Sequence, residues 1–181
     1  MNTFNFIEKY KVPLKVCDNI IEYHKKNIEY KTLGMIGAGI INKNIKDSTD
    51  VLFYNETTNK SLKEFFSILS KYVEEYLAKY HLESPVRTST INMIQYYKKG
   101  QGFPVLHYER TGVSSSKREL VYMLYCNDLK KGGTYFPYQE VALQSKKGDL
   151  YMWPSFFTHP HQGVISPTEE KYIATGWFEL V

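Results

Sequence analysis

Residues 96–110, YYKKGQGFPVLHYER, carry His107, Tyr108 and Glu109 as an HxE triplet. Alternate side chains of an extended strand point the same way, whereas on a helix residues two apart diverge by about 200°. His107 and Glu109 can therefore share one ion only if this stretch is extended, and the triplet reads as part of a β-strand. Two further histidines, His159 and His161, follow in THPH, and Lys171 stands ten residues beyond His161. Two imidazoles and one carboxylate make a donor set that leaves coordination positions open, unlike the closed four-ligand sets of structural zinc.

Outward from the triplet, the text from Val86 onward is rich in Thr, Tyr, Ile and Val. The turn signals Lys130-Lys131-Gly132-Gly133 and Lys146-Lys147-Gly148-Asp149 divide it into short strands. That pattern predicts a double-stranded β-helix, a jelly roll of two facing sheets. Upstream, Cys17, Ile20, Ile21, His24 and Ile28 recur at helical spacing, with Asp18 near the start and Gly34 past the end, and predict a helix over 16–32. A second helix is predicted over 61–80, where Ser61-x-x-Glu64 reads as a capping box and Leu62, Phe65, Phe66, Leu69, Tyr72, Val73, Tyr76 and Leu77 form one apolar stripe. Both helices are expected on the outside of a sheet. Between them, polar NKNIKDSTD and NETTNK flank VLFY, which predicts loops around an irregular strand. The chain thus reads as mainly β with flanking helices, one domain over 1–181, with a helical support region at 1–85 and a β-helix core at 86–181.

Composition sets bounds on function. A chain of 181 residues suits one domain that buries about 70% of the unfolded surface. Apolar residues at 43% and charged residues at 23% are a globular balance. The net charge of +4 is spread over lysine pairs at Lys98-Lys99, Lys130-Lys131 and Lys146-Lys147, each beside glycine. These read as solvated turns, not as a basic stripe for phosphates, which counts against nucleic acid as a partner. Gly34, Gly37 and Gly39 lack the GxGxxG spacing of a phosphate loop and read as chain turning. Cys17 and Cys126 have no metal or disulfide spacing and read as free thiols of a reducing cytosol. No apolar run approaches the roughly 20 residues of a membrane span, so a cytoplasmic enzyme without a membrane partner is expected. The pattern says nothing of oligomeric state.

Four segments in order carry a family resemblance. PLKVCDNIIEYHKKN (13–27), YYKKGQGFPVLHYER (96–110), RELVYMLYCNDLKKGGTYFPYQ (118–139) and KKGDLYMWPSFFTHPHQGVISPTEEKYIATGWF (146–178) resemble, in turn, the opening helix, first metal strand, central hairpin and closing strands of the prolyl 4-hydroxylase-like branch of the Fe(II)/2-oxoglutarate-dependent dioxygenases. The resemblance implies the double-stranded β-helix, Fe(II) as metal, 2-oxoglutarate as cosubstrate, O2 as oxidant, and ascorbate as reductant. It implies oxidative decarboxylation of 2-oxoglutarate to succinate and carbon dioxide, coupled to hydroxylation of an unactivated C–H bond. The branch suggests a prolyl residue of a peptide or protein as substrate. A free amino acid or another side chain fits the same residues.

The resemblance assigns Fe(II) to His107, Glu109 and a distal histidine. His159 and His161 share strand parity, so parity does not choose between them; the ten-residue interval to the basic residue, common in related sequences, favours His161. On KYIATGWF, alternation puts Lys171, Ile173, Thr175 and Trp177 on one face, where the lysine is placed for the far carboxylate of 2-oxoglutarate. Tyr97 and Tyr125 resemble family positions for the same carboxylate. Arg118 and Trp177 are expected toward the substrate, and the polar segments 42–60 and 110–117 as lids. The branch usually has HxD, and Glu109 adds a methylene. A retained carboxylate argues against halogenase chemistry. A nucleic-acid demethylase would carry an arginine pair on the last strand, where Lys171 and Trp177 stand instead. A cupin-type metal protein using His159-Pro160-His161 would need a later histidine, and none follows.

Overall fold

The computed structural model of the protein describes residues 5–37 and 39–181. In chain order the elements are β1 (Glu8–Lys11), α1 (Leu14–Lys26), β2 (Lys31–Leu33), β3 (Met35–Ile36), β4 (Ile40–Ile41), β5 (Thr49–Tyr54), α2 (Lys60–Lys79), β6 (Val86–Thr88), β7 (Ile91–Tyr97), β8 (Arg118–Tyr125), β9 (Gly133–Phe136), β10 (Val141–Leu143), β11 (Asp149–Pro154), β12 (Gln162–Val164) and β13 (Lys171–Leu180). One large antiparallel sheet runs β1-β11-β8-β13-β7-β5-β2, with β6 also on β13. A three-stranded sheet, β10-β9-β12, and the small β3-β4 hairpin complete the β structure. These are the two sheets of a double-stranded β-helix with two helices outside.

The large sheet is apolar on both faces, and strand alternation sends each set of residues to a different core. Leu120, Tyr122 and Leu124 of β8, with Ala174 and Phe178 of β13, pack against Val16, Cys17 and Ile20 of α1 and Leu62, Phe65, Leu69, Val73 and Tyr76 of α2. Val121 and Tyr125 of β8 and Ile173 of β13 face the opposite way, onto Phe136 and Leu143 of the smaller sheet together with Tyr97, Tyr151 and Trp153. Sheet-on-sheet packing thus leaves a mouth between β7, β13 and the smaller sheet. At Gly133 the chain passes so close to the Leu143 carbonyl that a Cβ would stand 1.9 Å from it, and φ is +106°, which glycine alone adopts readily.

Several boundaries differ from those the sequence predicts. The first helix stops at Lys26, not at 32, because Asn27 takes the Tyr23 carbonyl with both its backbone N–H (3.2 Å) and its side-chain Nδ2 (2.7 Å). Residues 31–33 then pair with β5. The second helix is capped by Asn59, whose Oδ1 accepts from the N–H groups of Ser61 and Leu62, so the Ser61/Glu64 capping box does not form. Residues 1–85 are not merely helical support: β1, β2 and β5 extend the same large sheet that β7, β8, β11 and β13 form. The HxE stretch is extended but is not a regular strand. His107 forms an isolated antiparallel bridge with His161, and the N–H groups of Glu109 and Arg110 both reach the Ser155 carbonyl. Among the described residues no helix is long and apolar enough to cross a membrane.

Candidate active site

A cavity of about 640 Å³ opens between the sheets. Its floor is the inward face of β13, where Lys171, Ile173, Thr175 and Trp177 all line it as alternation requires. Register carries that face across the sheet: Lys171 lies opposite Tyr97, Ile173 opposite Gln95, and Thr175 opposite Met93. Asp50 of β5 pairs with Gln95, and Leu52 with Met93, so β5 extends the same floor.

His107, Glu109 and His161 bring one ligand atom each within 4.8 Å of one another. Glu109 Oε1 lies 3.5 Å from His107 Nε2 and 3.7 Å from His161 Nε2. Both imidazoles are oriented by a backbone carbonyl: His107 Nδ1 is 2.8 Å from the Val105 oxygen and His161 Nδ1 is 3.0 Å from the His159 oxygen. A carbonyl only accepts, so each Nδ1 carries the hydrogen and each Nε2 presents a lone pair. His107 stacks on Phe103 with centroids 3.9 Å apart, and His161 is wedged between Phe136 and Trp153. Burial, followed by the neighbouring His107, pushes the His161 imidazolium down to about 4, so the ring is neutral at pH 7. Burial alone would raise the Glu109 carboxyl, but His107, His161 and Arg118 outweigh it and hold it at about 2. The carboxylate is thus charged and the His161 ring is neutral with Nε2 unprotonated, as metal ligands must be. Two donors about 2.1 Å from one ion stand about 3 Å apart at a right angle, so a small inward movement would close the three around Fe(II) or another divalent first-row metal.

His159 is not part of this cluster. It lies in the turn before His161, where strand parity does not operate, and its ring reaches Thr158 Oγ1 (2.9 Å) and the Asn5 carbonyl (2.8 Å).

At the other end of the floor, Lys171 is 4% exposed and its ammonium sits 4.6 Å from the centre of the Tyr97 ring. Among the described residues no carboxylate pairs with it, and burial alone pulls it down to about 8. The Tyr97 hydroxyl donates to Gln95 Oε1 at 2.7 Å. Tyr125 is fully buried and is not among the cavity-lining residues; its hydroxyl shares a 2.7 Å hydrogen bond with Thr134, which does line the cavity. The Thr175 hydroxyl donates to the Tyr122 carbonyl at 2.7 Å, so it is already engaged. Arg118 and Trp177 both line the cavity and both contact Glu109.

Sequence reading missed Thr134, Phe103 and the hairpin of β3 and β4, whose Met35, Ile36, Gly37 and Gly39 overhang the cavity. Thr134 follows a Gly-Gly turn that reads only as a strand boundary, and the hairpin strands are two residues each, too short to show a period. The segments expected as lids do contribute wall residues, namely Ile45, Lys46, Asp50, Leu52, Thr111, Ser114 and Ser115.

Residues 91–179 match the family model of the 2OG-Fe(II) oxygenase superfamily, and by that segment, which holds the clustered ligands and Lys171, the chain belongs to the superfamily. It is a 2-oxoglutarate-dependent dioxygenase whose cofactors are Fe(II) and 2-oxoglutarate. The fold is shared with a viral collagen prolyl hydroxylase from Paramecium Bursaria Chlorella virus-1, solved with 2-oxoglutarate, at 19% identity and TM-score 0.73 over 98% of this chain and 97% of that one. It is also shared with a Pseudomonas putida prolyl-4-hydroxylase, at 13% identity and TM-score 0.73 over 97% and 93%. A Trichoplax adhaerens prolyl hydroxylase, solved with a hypoxia inducible factor peptide fragment, matches at 12% identity and TM-score 0.77 over 97% and 84%. No curated protein matches the sequence.

Proposed function

We propose that this chain hydroxylates prolyl residues in peptides or proteins, with Fe(II) held by His107, Glu109 and His161 and the far carboxylate of 2-oxoglutarate held by Lys171. The observation that carries the reading is the pairing of an open three-ligand cluster with a buried, unpaired lysine in one cavity. Lys46 is the other buried lysine of the cavity, but Asp50 already neutralises it at 2.7 Å. Of these two lysines, Lys171 is the one with a charge to offer a dicarboxylate. The Tyr97 ring lies against its ammonium, and Thr134, held by Tyr125, lines the same cavity.

Fe(II), 2-oxoglutarate and O2, when bound, supply the oxidation, in which cosubstrate is converted to succinate and carbon dioxide and one oxygen atom enters the substrate as a hydroxyl. The residues of the chain contribute position and dryness. His107 and His161 are fixed in one tautomer by carbonyls, Phe103 and Trp153 shield their rings, and the apolar floor of Ile173, Leu52 and Met93 keeps water from the reacting carbon. Peptidyl proline is supported by the fold neighbours, which are prolyl hydroxylases, one of them solved with a peptide fragment. It is also supported by an open mouth rimmed by Leu33, Met35 and Val105, each at least 40% exposed. A proline ring presents unactivated C–H bonds at little ordering cost. Two buried free thiols fit a reducing cytosol as the compartment.

The test is Fe(II)- and 2-oxoglutarate-dependent succinate formation in the presence of a peptide panel, read by mass spectrometry. Proline-rich peptides are expected to accelerate it and to gain one oxygen on proline, and His107→Ala, Glu109→Ala and His161→Ala are each expected to abolish it. His159→Ala should retain turnover. Oxygen on another residue, or on free amino acids alone, would replace prolyl specificity while leaving an oxygenase. Full activity of His107→Ala would remove the metal assignment.

A further inference from the structure

The two oxygens of Glu109 lie in different surroundings. Oε1 faces the imidazoles of His107 and His161. Oε2 accepts a hydrogen bond from the Trp177 indole Nε1 at 3.1 Å and stands 3.5 Å from Arg118 Nη1. Arg118 grips the same residue a second time, donating from Nη1 to the Glu109 backbone carbonyl at 3.2 Å, and its guanidinium lies 3.5 Å over the Trp177 ring. Arginine, tryptophan and carboxylate thus brace one another in a closed triangle, and the guanidinium is itself half-buried.

We propose that Arg118 and Trp177 are positioning residues that hold the outer oxygen of Glu109 away from the metal, so that the carboxylate ligates through Oε1 alone and a coordination position stays open. The inference rests on the metal assignment above and adds a role that the assignment does not contain. A glutamate can ligate through one oxygen or two. On a six-coordinate ion that carries two imidazoles, a two-oxygen carboxylate leaves two positions, which 2-oxoglutarate fills. A one-oxygen carboxylate leaves three, enough for the cosubstrate and O2 together. Glu109 needs such a restraint because it has one more rotatable bond than aspartate and can swing either oxygen inward. Trp177 and Arg118 therefore act on the metal through Glu109, and their charge and N–H are spent before any substrate arrives.

Trp177→Phe removes the N–H while keeping a ring under Arg118, and Co(II), which is stable in air, serves as the metal probe. The expected result is that the variant binds Co(II) at least as tightly as wild type, shows an altered Co(II) d–d spectrum, and, with Co(II) and 2-oxoglutarate both loaded, takes up azide as a further ligand about tenfold or more weakly. The affinity of the metal-free protein for 2-oxoglutarate is expected to be the same in both. In a Glu109→Asp background, where the shorter carboxylate falls short of the indole, Trp177→Phe should change nothing further. If Trp177→Phe does not fold, Arg118→Lys carries the same measurement. An unchanged d–d spectrum together with unchanged azide affinity of the 2-oxoglutarate-loaded protein overturns the inference. Wild-type protein that binds no Co(II) overturns the metal assignment itself, and this inference with it.

Discussion

Two lysines line the same cavity at nearly the same burial, Lys46 at 3% exposure and Lys171 at 4%, and they are treated in opposite ways. Lys46 comes from the loop before β5 and closes on Asp50, four residues later, at 2.7 Å. Lys171 comes from β13, has no carboxylate partner among the described residues, and rests over an aromatic face. The first arrangement completes the wall, because each charge answers the other. The second leaves a buried cation whose desolvation the Tyr97 ring offsets only in part, and an arriving anion would offset the rest. A paired buried lysine thus reads as structure, and an unpaired one at a cavity floor reads as a receptor.

The sharpest way to break that comparison is to neutralise each lysine in turn. Lys46→Met leaves the Asp50 carboxylate buried and alone, and Asp50 Oδ1 already lacks a hydrogen-bond partner. The expected loss is about 3–5 kcal/mol of stability, the range for stripping one partner from a buried pair, measured by denaturant unfolding. Asp50→Asn/Lys46→Met together should recover much of it. A single Lys46→Met with wild-type stability would show that the pair is not what closes this wall.

Lys171→Met should do the reverse. Its pKa falls from 10.5 to about 8 on burial alone, which corresponds to about 3 kcal/mol held against the charged form. A lysine whose folded pKa lies below its unfolded value destabilises the fold fully below about pH 8, and the penalty fades as pH rises toward 10.5. Lys171→Met removes it, so the variant should unfold at higher denaturant than wild type at pH 7. It should also bind 2-oxoglutarate about 10- to 150-fold more weakly, the equivalent of 1.5–3 kcal/mol for a hydrogen bond to a charged group. Gain of stability with loss of affinity is the signature. Loss of both would make Lys171 a packing residue.

These two lysines also mark how far the sequence could be read. Lys171 was legible because the register of β13 stays regular from Lys171 to Trp177, so Lys171, Ile173, Thr175 and Trp177 had to share a face. The His107–Glu109 pair was legible for a similar reason, although the stretch proves to be a single bridge and not a strand. Parity failed at His159 because turns have no period. Lys46 and Asp50 were not legible as a cavity wall, since their segment has no periodicity and its place is fixed by pairing of β5 with β7, forty residues away along the chain. Arg118 and Trp177 were read as facing the substrate; the cavity face was correct, but contact with Glu109 depends on side-chain reach between β8 and β13, which sequence spacing does not encode.

The smallest expected effect is the most specific to an unpaired lysine. If 2-oxoglutarate pairs with the Lys171 ammonium, binding must restore the proton that burial loosens, because an anion beside the lysine raises the pKa that desolvation lowers to about 8. Affinity should therefore be flat below about pH 7 and decline above pH 8, approaching tenfold per unit, since only the protonated fraction of the free protein binds. Glu109 at about 2 and His161 at about 4 titrate far below this window and do not contribute to the slope. At pH 8, calorimetry of 2-oxoglutarate binding in buffers of different ionisation enthalpy should register uptake of about half a proton per site. Lys171→Met should show none, and Lys46→Met, whose lysine is already paired, should match wild type in this one respect. Equal proton uptake by wild type and Lys171→Met would place the titrating group elsewhere and dissolve the distinction between the two lysines.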